Sequence, residues 1–148
     1  LQDIAPLEIL QNAVQLYNKQ PRLKIDFQVS EINRLCKGDK EQCMRVFNNI
    51  LSNALEALEG HADPRITIFS KWTDNTLIIT IGDNGCGISE ELKPSIFTPS
   101  FTTKTKGSGL GLAMVKNIMQ GFGGKVWFES EKDKGSNFYL AFARSSEA

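Results

Sequence analysis

DKEQCMRVFNNILSNALEALE, residues 39–59, is the stretch from which the rest of the chain can be read. Phe47, Ile50, Leu51, Ala54, Leu55 and Leu58 recur at the spacing of a helix with one buried face. Asn49, Asn53 and Glu56 stand at i, i+4 and i+7, so they share a second face roughly opposite the apolar stripe. Asparagine is a weak helix former, costing about 0.5 kcal/mol relative to lysine or glutamate, and Asn48, Asn49 and Asn53 fall within two turns. Two readings of that face stay open on the residues alone. It is either a solvated polar face or a site in which a side-chain amide oxygen serves as a hard, neutral ligand for Mg²⁺.

Upstream, residues 5–19 carry Leu7, Leu10, Val14 and Tyr17 at helical spacing, and Pro21 ends that segment. Leu23, Ile25, Phe27 and Val29 then alternate as a half-buried strand. Downstream, Gly60 to Pro64 read as a loop. Ile66, Ile68 and Trp72 predict a second strand and Thr76–Ile81 a third, joined by a turn at Asp74–Asn75. A short polar helix is expected at 89–92, a helix from about Ser108 to Gln120 capped by Gly121, and strands at 125–130 and 136–142. Paired strands grouped between helices predict a two-layer α/β sandwich, with a mixed sheet carrying helices on one face.

Composition narrows the function. The 148 residues suit one domain, and 41% hydrophobic content suffices for a core. Seventeen basic residues balance seventeen acidic ones, which removes any bulk electrostatic reason to bind nucleic acid or an anionic membrane. No apolar run approaches the roughly 18 residues of a membrane span, and LQDIAPLEIL does not read as a signal peptide. Cys36, Cys43 and Cys86 include no CxxC pair and suit a reduced, cytoplasmic compartment. A single histidine, His61, excludes sites built on several histidines.

Two further segments carry chemistry. Asp83-Asn84-Gly85-Cys86-Gly87 follows the apolar strand directly. An aspartate there can accept a hydrogen bond from an exocyclic amine such as that of adenine, and glycines let backbone approach a flat ring; an ordinary turn has the same composition. Gly107-Ser108-Gly109-Leu110-Gly111-Leu112 opens a helix, where alternating glycines and free N–H groups suit a phosphate. No apolar strand precedes it and no GxxxxGK[ST] run exists, which argues against a Rossmann fingerprint and excludes a P-loop. Between the two lies PSIFTPSFTTKTKGS, 94–108, whose length and hydroxyl-rich composition read as a lid or binding loop. Lys104 and Lys106 either offer charge to a polyphosphate or are simply solvated.

In this order and spacing the segments resemble the ATP-binding catalytic domain of bacterial sensor histidine kinases, within the superfamily of gyrase, Hsp90 and the mismatch-repair ATPases. RVFNNILSNALEAL (45–58) is similar to that family's N box, DNGCGI (83–88) to its G1 box, IFTPSFTTK (96–104) to its F box and GSGLGL (107–112) to its G2 box. GGKVWFES (123–130) and GSNFYLAF (135–142) resemble its last two strands, and the TTK ending and NALEAL helix its nitrogen-regulation subclass. The pattern departs at Ser100, ahead of Phe101, and at Phe122, where the family commonly has histidine.

The resemblance implies a Bergerat-type α/β sandwich with a mobile ATP lid at about 94–108. It implies a single catalytic domain over 1–148, without the dimerisation and phosphoacceptor domain. Asn53 would hold Mg²⁺, Asn49 would support the phosphates and Asp83 would bind the adenine amine. Gly85, Gly87, Ile88, Phe97, Thr102, Thr103, Lys104, Lys106, Gly107, Ser108, Gly109, Leu110, Gly111 and Leu112 would complete the ATP site, with Phe97 the lid's docking residue. Asn49 and Glu56 would serve the transfer step, Glu56 by orienting the attacking histidine.

The function so implied is donation of the γ-phosphate of MgATP to a histidine on a separate domain, and through it to a response regulator, in a cytoplasmic domain whose parent could be attached to the inner membrane. His61, in a Gly/Asp/Pro loop, lacks an acceptor's long-helix setting. Two rival functions share the nucleotide motifs: a hydrolysing ATPase of the same superfamily, and a nucleotide-gated interaction module such as an anti-sigma serine kinase. Hydrolysing relatives carry glutamate where Asn49 stands, and an amide cannot take water's proton.

Overall fold

Alternation along the β-strands sets the molecule's two layers. In a computed structural model that describes residues 1–99 and 111–146, the order is β1 (Gln2–Ile4), α1 (Pro6–Tyr17), β2 (Lys24–Gln28), β3 (Cys36–Gly38), α2 (Lys40–Ala57), β4 (Arg65–Trp72), β5 (Thr76–Asp83), α3 (Gly111–Gly121), β6 (Lys125–Glu131) and β7 (Gly135–Ala143). The main sheet runs β2-β4-β5-β7-β6. β2 and β4 are parallel; the other neighbours are antiparallel. The expected mixed, largely antiparallel sheet packed on helices is the fold observed.

Ile66 and Ile68 of β4, and Leu77, Ile79 and Ile81 of β5, turn one face of the sheet toward the helices and are buried there. Phe47 and Leu51 of α2 and Leu7 and Leu10 of α1 meet them in one core, Phe47 lying 6.0 Å from Phe142 between ring centroids. α2 starts where Asp39 caps it: the Asp39 carboxylate accepts the Gln42 N–H at 2.9 Å. The β4–β5 hairpin turns at Asp74–Asn75 as expected, closed by the Thr73 N–H donating to the Thr76 carbonyl. No helix among the described residues is long and apolar enough to cross a membrane.

Two expectations need correction and one feature is new. Residues 89–92 form a turn, not a helix, followed by a 3-10 turn at Lys93–Ser95; Pro94 has no N–H to continue an α-helical ladder. α3 is closed by Gly123 rather than Gly121. Gly123 adopts φ +78, and the Gly124 and Gly123 N–H groups donate to the Met119 and Gln120 carbonyls at 2.8 and 3.0 Å, a Schellman closure that lets Gly121 remain helical. β1 and β3, which the sequence did not suggest, pair antiparallel as a separate ribbon. Three-residue strands are too short to show a period.

Candidate functional site

α2 sets the first part of the site. With Phe47, Ile50, Leu51 and Ala54 drawn into the core, the face with Asn49 and Asn53 remains part-exposed, and the Asn53 amide donates to the Asn49 Oδ1 at 3.3 Å. α3 begins against this pair. A Cβ added to Gly111 would stand 2.4 Å from the Asn49 Nδ2, so a larger residue there would displace the Asn49 amide. Glu56 is exposed one turn beyond Asn53. Asn48, by contrast, turns inward and its Oδ1 is buried without a hydrogen-bond partner among the described residues.

The loop after β5 is held to the same helix. The Cys86 N–H donates to the Ala57 carbonyl at 3.0 Å, at the last residue of α2, and the Cys86 carbonyl accepts the Asp133 N–H at 2.7 Å. Gly87 has φ +69 and a Cβ there would fall 2.1 Å from the Glu131 carbonyl oxygen, which fixes glycine at this position twice over. Asp83 is half-buried, and its Oδ1 accepts the Gly85 N–H at 2.8 Å. Burial pushes its carboxyl up from 3.8 to about 6, against the backbone N–H groups of Gly85 and Ser136, which favour the charged form. At neutral pH it is an ionised acceptor in a poorly solvated place.

Residues that the motifs did not point to hold this loop in shape. The Ser130 hydroxyl accepts the Ile88 N–H at 2.8 Å, donates to the Gly135 carbonyl at 2.9 Å and lies 2.8 Å from the buried Ser136 hydroxyl. Asn84 accepts the Arg65 N–H at 2.8 Å and donates to the Asp63 carbonyl at 3.0 Å, tying the loop to the start of β4. The sequence carried a signal for Asn84, inside DNG, but none for Ser130, whose partner Ile88 is 42 residues away.

Ile88, Leu112 and Phe97 are partly buried against the core. Phe97 sets its ring edge against Phe128 at 5.8 Å between centroids. Thr102, Thr103, Lys104, Lys106, Gly107, Ser108, Gly109 and Leu110 lie outside the described residues. His61 is exposed, and its Nδ1 accepts the Asp63 N–H at 3.0 Å, a local loop contact. The structure thus unites Asn49, Asn53 and Gly111 on one side, and joins the Asp83–Ile88 loop to the end of the same helix on the other.

Residues 38–146 match the family described as histidine kinase-, DNA gyrase B- and HSP90-like ATPase. The signal transduction histidine-protein kinase AtoS of Escherichia coli is 38% identical over 117 residues, covering 79% of this chain and 18% of AtoS. Sporulation kinase D of Bacillus subtilis is 37% identical over 149 residues, covering 99% of this chain and 28% of that protein. The chain therefore spans under a third of these relatives. Among solved structures, the catalytic domain of histidine kinase ThkA superposes with a TM-score of 0.85 at 26% identity, over 98% of both chains.

Proposed function

The chain belongs to the histidine kinase-, DNA gyrase B- and HSP90-like ATPase family, and from that premise we propose that it binds MgATP and donates the γ-phosphate to a histidine of a separate dimerisation and phosphoacceptor domain. The observation that carries this reading is the position of Asn49, hydrogen-bonded to Asn53 and packed on Gly111 at the glycine-rich start of α3. In this reading the amide pair serves both the metal and the phosphates. AtoS is named a histidine-protein kinase and sporulation kinase D a kinase.

In this reading the ionised Asp83 accepts the adenine amine. The glycine backbone of 85 and 87 gives the ring its close approach. The Asn53 side chain offers a hard amide oxygen, a donor that beside phosphates suits Mg²⁺. Bound there, the metal supplies charge neutralisation for phosphoryl transfer. Residues 94–108, with Lys104 and Lys106, act as the ATP lid, and 1–148 as one catalytic domain. Asn49 positions the phosphates without activating water, and Glu56 orients the incoming imidazole. The domain works in the cytoplasm, ahead of a response regulator.

Nucleotide titration by calorimetry tests the site. ATP should bind at least about tenfold more tightly than GTP, whose ring offers a carbonyl where adenine offers an amine, and Mg²⁺ should strengthen the ATP signal. Equal affinities for ATP and GTP would contradict the adenine assignment.

A further inference from the structure

Helices cover the sheet face that carries Ile68, Ile79, Phe138 and Leu140. On the opposite face the strand registers align side chains into three parallel rows. The first runs Lys71, Ile78, Ala141, Lys125; the middle one Gln28, Phe69, Thr80, Tyr139, Trp127; the third Asp26, Thr67, Gly82, Asn137, Glu129. The three rows are therefore basic at Lys71 and Lys125, aromatic along the centre and acidic at Asp26 and Glu129; beyond the acidic row stand Lys24 and Arg65, both ion-paired with Asp63.

The central row is well formed. Phe69 and Trp127 are 41% and 38% exposed, large values for aromatic rings on a sheet. Trp127 stacks on Tyr139 at 5.4 Å with the planes 12° apart, and the Tyr139 hydroxyl donates to Glu129, which holds that carboxylate beside the aromatic row. Lys71 and Lys125 pair with no carboxylate of their own chain among the described residues.

We propose that this face is a weak isologous interface between two copies of the chain, related by a twofold axis along the aromatic row. Rotation about that axis keeps each strand position and exchanges the outer rows. Lys125 of one copy then lies over Glu129 of the other, and Lys71 lies diagonally over Asp26, while the aromatic rows meet each other. Strands cross the interface antiparallel, within the aligned class of sheet-on-sheet packing. A different protein would need no such relation between the Lys125 row and the Glu129 row; self-pairing does. Five strands about 4.8 Å apart and five residues deep present roughly 400 Å² per copy. That is below the ~800 Å² per partner of a standard interface, so the dissociation constant should fall in the range of about 10 μM to 1 mM.

Sedimentation of the purified chain across that concentration range tests the proposal. The weight-average mass should climb from the monomer's 16.5 kDa toward twice that value. Lys125→Glu and Glu129→Lys should each weaken association by about fivefold or more, because like charges then face each other. Glu129→Lys also removes the acceptor of Tyr139, so the decisive samples are combinations. The double variant should recover association, and an equimolar mixture of the two single variants should associate more strongly than either alone. A chain that stays monomeric up to about 1 mM overturns the proposal. So does a mixture no better than its components, or single variants that pair like the parent while melting at the same temperature.

Discussion

Asp83, the proposed adenine acceptor, keeps its carboxylate at a cost to the fold. Its carboxyl titrates near 6 rather than 3.8 because burial disfavours the charge. Below 3.8 it is neutral folded or unfolded; between the two values only the folded state holds the proton. This group's contribution to stability is therefore fully present at low pH and is lost as pH rises through about 6. Asp83→Asn keeps an acceptor for the Gly85 N–H but no charge. It should stabilise the ligand-free domain at pH 7.5 by about 1–3 kcal/mol, as two pKa units are worth roughly 2.7 kcal/mol, and flatten stability between pH 4 and 7 in thermal melts. The same substitution should weaken ADP binding by about ten- to a hundredfold, the loss of a charge-assisted bond. A variant that gains no stability, or binds ADP unchanged, removes Asp83 from the role assigned to it. Asn53→Ala tests the metal side: ATP titrations with and without Mg²⁺ should differ in the parent and coincide in the variant. Asp83 and Asn53 are legible in the sequence because each sits in a compact local motif. Ser130 is not, since nothing in GGKVWFES distinguishes a surface serine from the one that receives the Ile88 N–H.

At the scale of elements, α2 is legible almost to the residue, from expected limits of 39–59 to the observed Lys40–Ala57. Its apolar period is sustained over many turns, and the loop from Gly60 to Pro64 marks its end. Phe47→Ala should cost about 3–5 kcal/mol in denaturant unfolding, since the ring is wholly buried and contacts Phe142. Asp39→Ala should cost only about 1 kcal/mol through the lost cap. Equal losses would mean that α2 is held by its own hydrogen bonds rather than by its packing. Elsewhere tertiary context decides. Ser89–Leu92 looks helical but turns ahead of Pro94, and β3 exists because Cys36–Gly38 lies against Gln2–Ile4, far off in sequence. The closing glycine of α3 falls two residues later than expected, since GFGG offers three candidates and only backbone geometry separates them.

For the whole molecule, the sequence supplies the strands but not their order. Placing β7 between β5 and β6 depends on pairings that span the chain, and no local period encodes those. Its consequence is functional: the β5–β7 pairing sets Asp83 opposite Ser136, so the proposed adenine loop leans on the β6–β7 hairpin while it is tied to the end of α2. Under the proposed function, a domain so built holds the nucleotide and needs a histidine from elsewhere to complete the reaction. The direct test is incubation with γ-labelled ATP, first alone and then with the histidine-bearing dimerisation domain of a related sensor kinase. The account predicts little label and slow turnover on the isolated chain, and acid-labile, base-stable phosphate on the added domain, lost when its histidine is replaced. Stable label on the isolated chain, rapid release of phosphate without the partner, or label on serine of the added domain would contradict it.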